Sequence, residues 1–290
     1  NLVEQLRDEY DLSIVAPVGS RSHVTKNHLS YQCRLKPSPL FLICATLKTI
    51  FACKKKRFDV CISGSGVTAP VSLVAGKLFN IPTACFIHGL DLVVENSIYQ
   101  HIFLPAIRKA DLIIANSKNT AQIAVKKGIS AEKIRVINPG VDTDFTLCPQ
   151  NDFRVSNKLE NRKVLLYVGR IIRRKGLREF IEQCMPEIIS KHPNTTLVII
   201  GSAPVNALDK NNSLAKQVME SVSQHGLEEQ VLHLGRVNDD ILNAAYTESD
   251  LCIFPLIDVP GDVEGFGMVA VEAAARGTPT VAFSVGGVTD

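Results

Sequence analysis

Two stretches of the 290-residue chain concentrate the residue types that handle anions and hydroxyl groups. The first is Val168-Gly-Arg-Ile-Ile-Arg-Arg-Lys-Gly176, which follows an apolar strand-like run and precedes a helix expected over Leu177 to Ile189. One turn therefore delivers Arg170, Arg173, Arg174 and Lys175 to the carboxyl end of a strand, where ligands of open α/β sheets collect. Guanidinium forks and a lysine point charge suit a pyrophosphate and would neutralise it as a leaving group. From charge alone a solvated basic loop is an equal alternative. The second stretch is Glu264-Gly-Phe-Gly-Met-Val-Ala-Val-Glu272, leading into an Ala-rich run to Gly277. In one continuous helix the two carboxylates would stand about 80° apart, at about 100° per residue. Two glycines argue instead for Glu264 in a loop, with Gly265-Phe266-Gly267 opening a helix whose first N–H groups face an anion, and Glu272 about a turn inside.

These segments need strands to hold them, and short β-rich apolar runs alternate with amphipathic stretches along the whole chain. The strands are expected at Asp11–Ala16, Phe58–Ser63, Thr83–Ile87, Asp111–Ala115 and Ile134–Ile137. After a polar interval they resume at Val164–Val168, Thr196–Ile200, Val231–Leu234, Asp250–Phe254 and Thr280–Phe283. Such βα repetition means parallel sheets covered on both faces. The fold class is α/β: two doubly wound Rossmann-like domains over 1–146 and 164–290, joined by a linker at 147–163. Residues 1–9 are helix-like with no strand before them, and the chain stops at Gly286-Gly-Val-Thr-Asp290 without a returning helix. The expectation is a fragment lacking the first strand and the last elements.

Composition removes several classes of function. Lys and Arg number 32 against 29 Asp and Glu, a net charge of +3, too small for binding that rests on phosphate neutralisation. With 6% aromatic residues and no Trp, base stacking is also poorly served, so no nucleic-acid partner is expected. The 8 cysteines form no C-x-x-C pair and several lie in apolar runs, which reads as reduced core thiols in the cytoplasm and no zinc site. The apolar run Leu40–Leu47 ends at Lys48, short of the about 18 residues a membrane-spanning helix needs. The basic cluster Lys54-Lys-Lys-Arg57 closes a helix-like segment from Pro39 onward, where charge at a helix C-terminus is the first reading. Attraction to the inner membrane surface is the lesser one.

Taken in order, the motifs resemble the retaining nucleotide-sugar glycosyltransferases of the GT-B type, family four. The resemblance rests on Gly169-Arg170…Lys175-Gly176 and on Glu264…Glu272, the G-R-x(n)-K-G turn and E-x7-E pattern. It extends to Ile87-His-Gly-Leu-Asp91, Ala110-Asp-Leu-Ile-Ile-Ala-Asn-Ser117, Ile137-Asn-Pro-Gly-Val-Asp142 and Leu197-Val-Ile-Ile-Gly201. It implies that Arg170 and Lys175 bind the donor diphosphate, assisted by backbone N–H groups of Gly265, Phe266, Gly267 and Met268. Glu272 would hold the ribose hydroxyls and Glu264 the transferred sugar. His88, by its residue type alone a structural histidine, would contact the sugar near the reacting carbon. The implied activity is metal-independent transfer of a hexose from a UDP- or GDP-linked sugar to a lipid-linked or saccharide acceptor, in glycolipid or surface-polysaccharide synthesis, with no cofactor. Two features depart from the pattern: Ala203 stands where a second glycine is common, and the chain ends Gly-Gly-Val-Thr-Asp rather than Gly-Gly-x-Pro-Glu.

Two motifs compete. Asp142-Thr-Asp144 spells the D-x-D of metal-dependent transferases, but it follows Asn138-Pro-Gly-Val and reads as turn and capping chemistry. Gly64-Ser-Gly-Val-Thr-Ala69 fits a dinucleotide-binding turn, which would make the protein an NAD-dependent oxidoreductase. Against that, His88 replaces the acidic residue required at the end of the next strand, with Asp91 only three residues later, and close helix packing accounts for the glycines. A non-catalytic nucleotide-sugar-binding partner protein is the remaining alternative.

Overall fold

The computed structural model describes residues 2–6, 8–20, 29–36, 38–143, 153–203 and 214–290. Asp144, Cys148 and residues 147–152 of the expected linker lie outside them. The chain divides into two compact units, 1–137 and 138–290.

The second unit is built on a parallel sheet of β7 (Lys163–Val168), β8 (Thr195–Ile200), β9 (Val231–Gly235), β10 (Leu251–Phe254) and β11 (Thr280–Ala282), in the order β11-β10-β7-β8-β9. Both faces of β7 are covered, so its apolar run splits by alternation. Leu165 and Tyr167 pack with Leu177, Ile181 and Val218 on one side. Val164, Leu166 and Val168 pack with Ala244, Tyr246 and Ala273 on the other. The helix expected over Leu177–Ile189 is two helices, Leu177–Gln183 and Met185–Lys191. Pro186 has no N–H to continue the ladder, and the break falls beside it.

The linker expected at 147–163 needs correction over its described part. The helix Phe153–Ser156 buries Phe153, and Leu159 is buried in the same cluster beneath the sheet. Glu248 accepts the N–H groups of Phe153 and Arg154 at 3.1 and 3.0 Å, and Arg154 Nη2 meets Asp250 Oδ2 at 2.9 Å. Polar composition marks this segment as a connection, yet its few apolar and ionic residues pin it to the second unit. Residues 138–143 also group with that unit rather than with the first.

The first unit holds two parallel sheets. β1 (Ser13–Pro17) pairs with β2 (Leu29–Cys33), while β3 (Cys61–Ser63), β4 (Thr83–Ile87), β5 (Leu112–Ala115) and β6 (Ile134–Val136) follow in the order β3-β4-β5-β6. β2, with the sequence Leu-Ser-Tyr-Gln-Cys, is absent from the sequence reading because its polar residues interrupt any apolar run. Among the described residues β1 and β3 each pair on one side only, and both line a cavity of about 280 Å³. β4 and β5 are tied by Asp111, which accepts the Thr83 N–H and hydroxyl at 2.8 Å each; these bonds hold its carboxyl below the usual carboxylate range. Burial pushes the Cys85 and Cys252 thiols up to about 12, consistent with inert core residues. Among the described residues no helix is long and apolar enough to cross a membrane.

Candidate functional site

The basic turn begins where β7 ends. Tyr167, whose phenol is buried and raised well above the tyrosine range by that burial, donates to the carbonyl of Arg170 at 3.0 Å and so fixes the first residues of the turn. Residues Arg173–Lys175 form a 3₁₀ turn closed by Gly176, in the left-handed region at φ +63°. A Cβ on Gly176 would lie 1.8 Å from the carbonyl oxygen of Pro255, just past β10. Only glycine lets the turn come this close, and the Ile257 N–H bonds the Arg174 carbonyl at 3.0 Å across the contact.

That approach sorts the four basic side chains. Arg174 and Lys175 turn inward and are buried, whereas Arg170 and Arg173 are exposed. Lys175 Nζ donates to Glu264 Oε2 at 2.7 Å, and Arg174 Nη1 donates to the same oxygen. Arg174 Nε reaches Asp262 Oδ1 at 2.8 Å. The ammonium of Lys175 also lies 4.4 Å from the centroid of the Phe254 ring. Burial holds Lys175 below the usual lysine range, opposed by Glu264 and reinforced by the charges of Arg174 and Arg170. A buried pair of this kind is sensitive to loss of either partner, because the remaining charge has little water to solvate it. Sequence reasoning favoured Arg170 over Arg174 and passed over Asp262; the inward choice depends on the packing against Pro255, which no local pattern announces.

Glu264 lies in the loop before the helix Met268–Ala275, and its carbonyl accepts the Gly287 N–H at 2.9 Å. Gly265 and Phe266 continue the loop, and Gly267 caps the helix. Glu272 is the fifth helical residue. Its Oε2 accepts the Tyr246 hydroxyl at 2.9 Å, a bond that with burial drives the tyrosine pKa up. Arg276, one turn on, donates to the Glu272 carbonyl at 3.0 Å and to Asn243 Oδ1 at 2.8 Å. Met268, Glu272, Arg276, Asn243, Tyr246 and Asp142 line one cavity of about 380 Å³. Glu264 does not line it. Asp142, read from sequence as turn chemistry, is therefore a neighbour of Glu272. Among the described residues no three His, Cys, Asp or Glu side chains cluster as metal ligands would.

His88 belongs to the first unit. Its backbone N–H donates to Asp91 Oδ2 at 2.9 Å, and Asp91 Oδ1 also accepts the Gly66 N–H at 3.1 Å and the Tyr99 hydroxyl at 3.3 Å. His88 Nε2 lies 3.0 Å from the Gly64 carbonyl, which can only accept, so Nε2 carries a proton, and Nδ1 makes no hydrogen bond among the described residues. The side chain is exposed. A Cβ on Gly66 would meet the Tyr99 hydroxyl at 2.5 Å and Ile107 Cδ1 at 2.6 Å, so packing requires that glycine. With three donors already on it, Asp91 is not a spare carboxylate for a ribose, and the dinucleotide reading loses its acidic partner.

Residues 1–145 match Glycosyltransferase Family 4, and residues 149–290 match the Glycosyl transferases group 1. An uncharacterized glycosyltransferase of Methanocaldococcus jannaschii is 35% identical over 54% of this chain and 37% of its own length. The D-inositol 3-phosphate glycosyltransferase of Corynebacterium aurimucosum is 26% identical over 81% of this chain and 58% of its own. The chain thus spans well under two thirds of the length of these two relatives. Among solved structures, Anabaena HepE in complex with UDP superposes with a TM-score of 0.78 at 20% identity, over 99% of this chain and 77% of that one. Sucrose-phosphate synthase from Thermosynechococcus elongatus gives 0.71 at 20% identity, over 99% and 76%. These likenesses show the fold, two Rossmann-like units of the GT-B type, and with both halves of the sequence matched the chain belongs to glycosyltransferase family 4.

Proposed function

We propose that the protein is a retaining glycosyltransferase that moves a hexose from a nucleoside-diphosphate sugar to an acceptor hydroxyl without a metal ion. The observation that carries this reading is the buried ion pair of Lys175 and Glu264 at the sheet end, in the unit whose next helix carries Glu272. An ammonium partly stripped of water interacts strongly with any anion that reaches it, and a leaving diphosphate gains charge as the glycosidic bond breaks. Lys175 stabilises that charge, with Arg170 beside the turn and the N–H groups from Gly265 to Met268 as further donors. Glu264, bonded to the same ammonium, faces the sugar where it joins the phosphate, and Glu272 takes the ribose hydroxyls. His88 acts on the sugar from the first unit through its free ring nitrogen. Related structures hold UDP, UDP with glucose, and UDP-glucose, which supports a uridine donor over a guanosine one. The acceptor is a saccharide or lipid-linked hydroxyl, as in glycolipid or surface-polysaccharide synthesis.

A donor screen on the full-length protein, following release of nucleoside diphosphate before and after exhaustive EDTA treatment, tests this. UDP release from a UDP-hexose that survives EDTA is the expected result. Nucleotide binding with no turnover of any donor would make the protein a non-catalytic binding partner instead, and an absolute need for Mg²⁺ or Mn²⁺ would return Asp142 to consideration.

A further inference from the structure

The cluster at the end of β7 contains a cation to which donor binding gives no task. Lys175 makes one hydrogen bond among the described residues, to Glu264, and an ammonium has three N–H groups, so two remain for an incoming acceptor. Arg174 is committed differently. Its Nε holds Asp262 Oδ1 at 2.8 Å, its Nη1 holds Glu264 Oε2, and its carbonyl accepts the Ile257 N–H at 3.0 Å. The side chain is 5% exposed, against 33% for Asp262 and 12% for Glu264, so little of it is offered to a ligand. Arg174 is a bridge between two carboxylates of one loop.

The loop is held at the same two residues by its backbone. The Asp262 N–H bonds the Val259 carbonyl at 3.0 Å across a turn with Gly261 at φ +77°, and the Gly287 N–H bonds the Glu264 carbonyl at 2.9 Å. Arg174 adds the side chains to what the backbone already fixes. A planar guanidinium suits this, because its fork can hold two carboxylates in a set geometry. A diphosphate that draws Lys175 away removes one of the two cations on Glu264 Oε2. With Lys175 as its only partner, Glu264 would then be a largely buried, unpaired carboxylate, a state whose cost opposes nucleotide binding. Arg174 sits on the same oxygen and remains there.

We propose that Arg174 is a positioning residue for glycosyl transfer: by spanning Asp262 and Glu264 it keeps Glu264 paired and in place while Lys175 passes from Glu264 to the donor diphosphate. The inference rests on the glycosyl-transfer reading, in which Lys175 binds that diphosphate. The test is calorimetric titration of the full-length protein with UDP, across Arg174→Gln, Glu264→Gln and the double variant. Arg174→Gln should weaken UDP binding about tenfold or more, because Lys175 is then the sole cation on Glu264 and is retained there. Glu264→Gln removes the charge that retains it, so the double variant should bind UDP within about twofold of Glu264→Gln alone. A merely structural loss would not be cured by neutralising a second member of the cluster. Arg174→Lys keeps the charge but not the span and should weaken UDP about threefold, again cancelled by Glu264→Gln; it carries the test if Arg174→Gln does not fold. Wild-type UDP affinity in Arg174→Gln overturns the proposal. So does a double variant that binds as weakly as Arg174→Gln, since Arg174 would then touch the nucleotide itself or support the fold. Absence of UDP binding by the wild-type protein would instead remove the donor reading, and the proposal with it, so the two failures are told apart.

Discussion

At the carboxyl end of the second unit's sheet, two basic and two acidic side chains drawn from segments 88 to 90 residues apart meet in a largely buried cluster. At the corresponding end of β4 in the first unit, Asp91 is satisfied by two backbone N–H groups and a phenol from residues no more than 25 apart. The first arrangement holds charge that an arriving anion can redistribute, because Lys175 can trade one oxygen for another. The second holds shape: every bond to Asp91 fixes a loop, and the neighbouring His88 is held by Nε2 to the Gly64 carbonyl. Sites at strand ends can thus be made of the same residue types yet serve either electrostatics or geometry, and the partners decide which.

The contrast can be broken at several points. The largest effect should come from Lys175→Ala, which removes the ammonium at the sheet end and should lower turnover about 10²-fold or more; Arg174 still pairs with Glu264, so the chain should fold with reduced stability. Steady-state kinetics beside circular dichroism checks it, and wild-type turnover would remove Lys175 from the site. Next are the two glutamates. Glu264→Gln should depress turnover while free nucleoside diphosphate still binds nearly normally, whereas Glu272→Gln should weaken binding of donor and free nucleotide alike. Calorimetric titration of both variants with the free nucleotide separates them, and the reverse outcome would exchange the two assignments.

In the first unit, Asp91→Ala should leave three donors without their acceptor and cost about 1–3 kcal/mol of stability without changing nucleotide affinity. Denaturant unfolding checks this; unchanged stability would mean the loop is held by something else. A smaller effect is expected from Tyr246→Phe, which frees one oxygen of Glu272. Nucleotide affinity should fall by about five- to tenfold, in keeping with one neutral hydrogen bond to a carboxylate, while turnover at saturation stays level.

The last expectation concerns pH. Lys175 has a folded pKa below the ordinary 10.5, so between the two values the unfolded chain binds more protons, and this group's contribution to stability rises with pH across that window. Its cationic function is lost over the same window. The alkaline limb of the kcat/KM profile should therefore lie below the usual lysine range, and Lys175→Arg should move it upward if any activity remains. A limb that does not move would assign that titration to another group.

Much of this is legible in the amino-acid sequence. The runs Thr83–Ile87 and Val164–Val168 declare themselves because a parallel strand covered on both faces reads as a near-continuous apolar run. The glycines before Met268 likewise foretell a loop followed by a helix that carries Glu272 inside it. Less legible was Leu29–Cys33, whose alternating polar residues look like any surface segment, and the break at Cys184, where periodicity continues across a proline that hydrogen bonding cannot ignore. Within the described part of the expected linker, Phe153 to Leu159 reads as a connection by composition, yet two apolar side chains and the bonds to Glu248 and Asp250 tie it to a core far along the chain.

The amino-acid sequence by itself determined the chemistry on offer: a basic turn at a strand end, two glutamates eight positions apart, and a histidine closing an apolar strand. Those features depend on neighbours within one or two turns, and local pattern suffices for them. Tertiary structure alone decided which groups face one another. It turned Arg174 and Lys175 inward and left Arg170 and Arg173 in solvent, because Gly176 packs on Pro255. It brought Asp262 and Glu264 to those cations, placed Tyr246 on Glu272, and committed Asp91 to its own loop. Each of these pairings spans a crossover or an irregular loop, so it follows from strand order and packing rather than from any spacing a reader of the sequence could count.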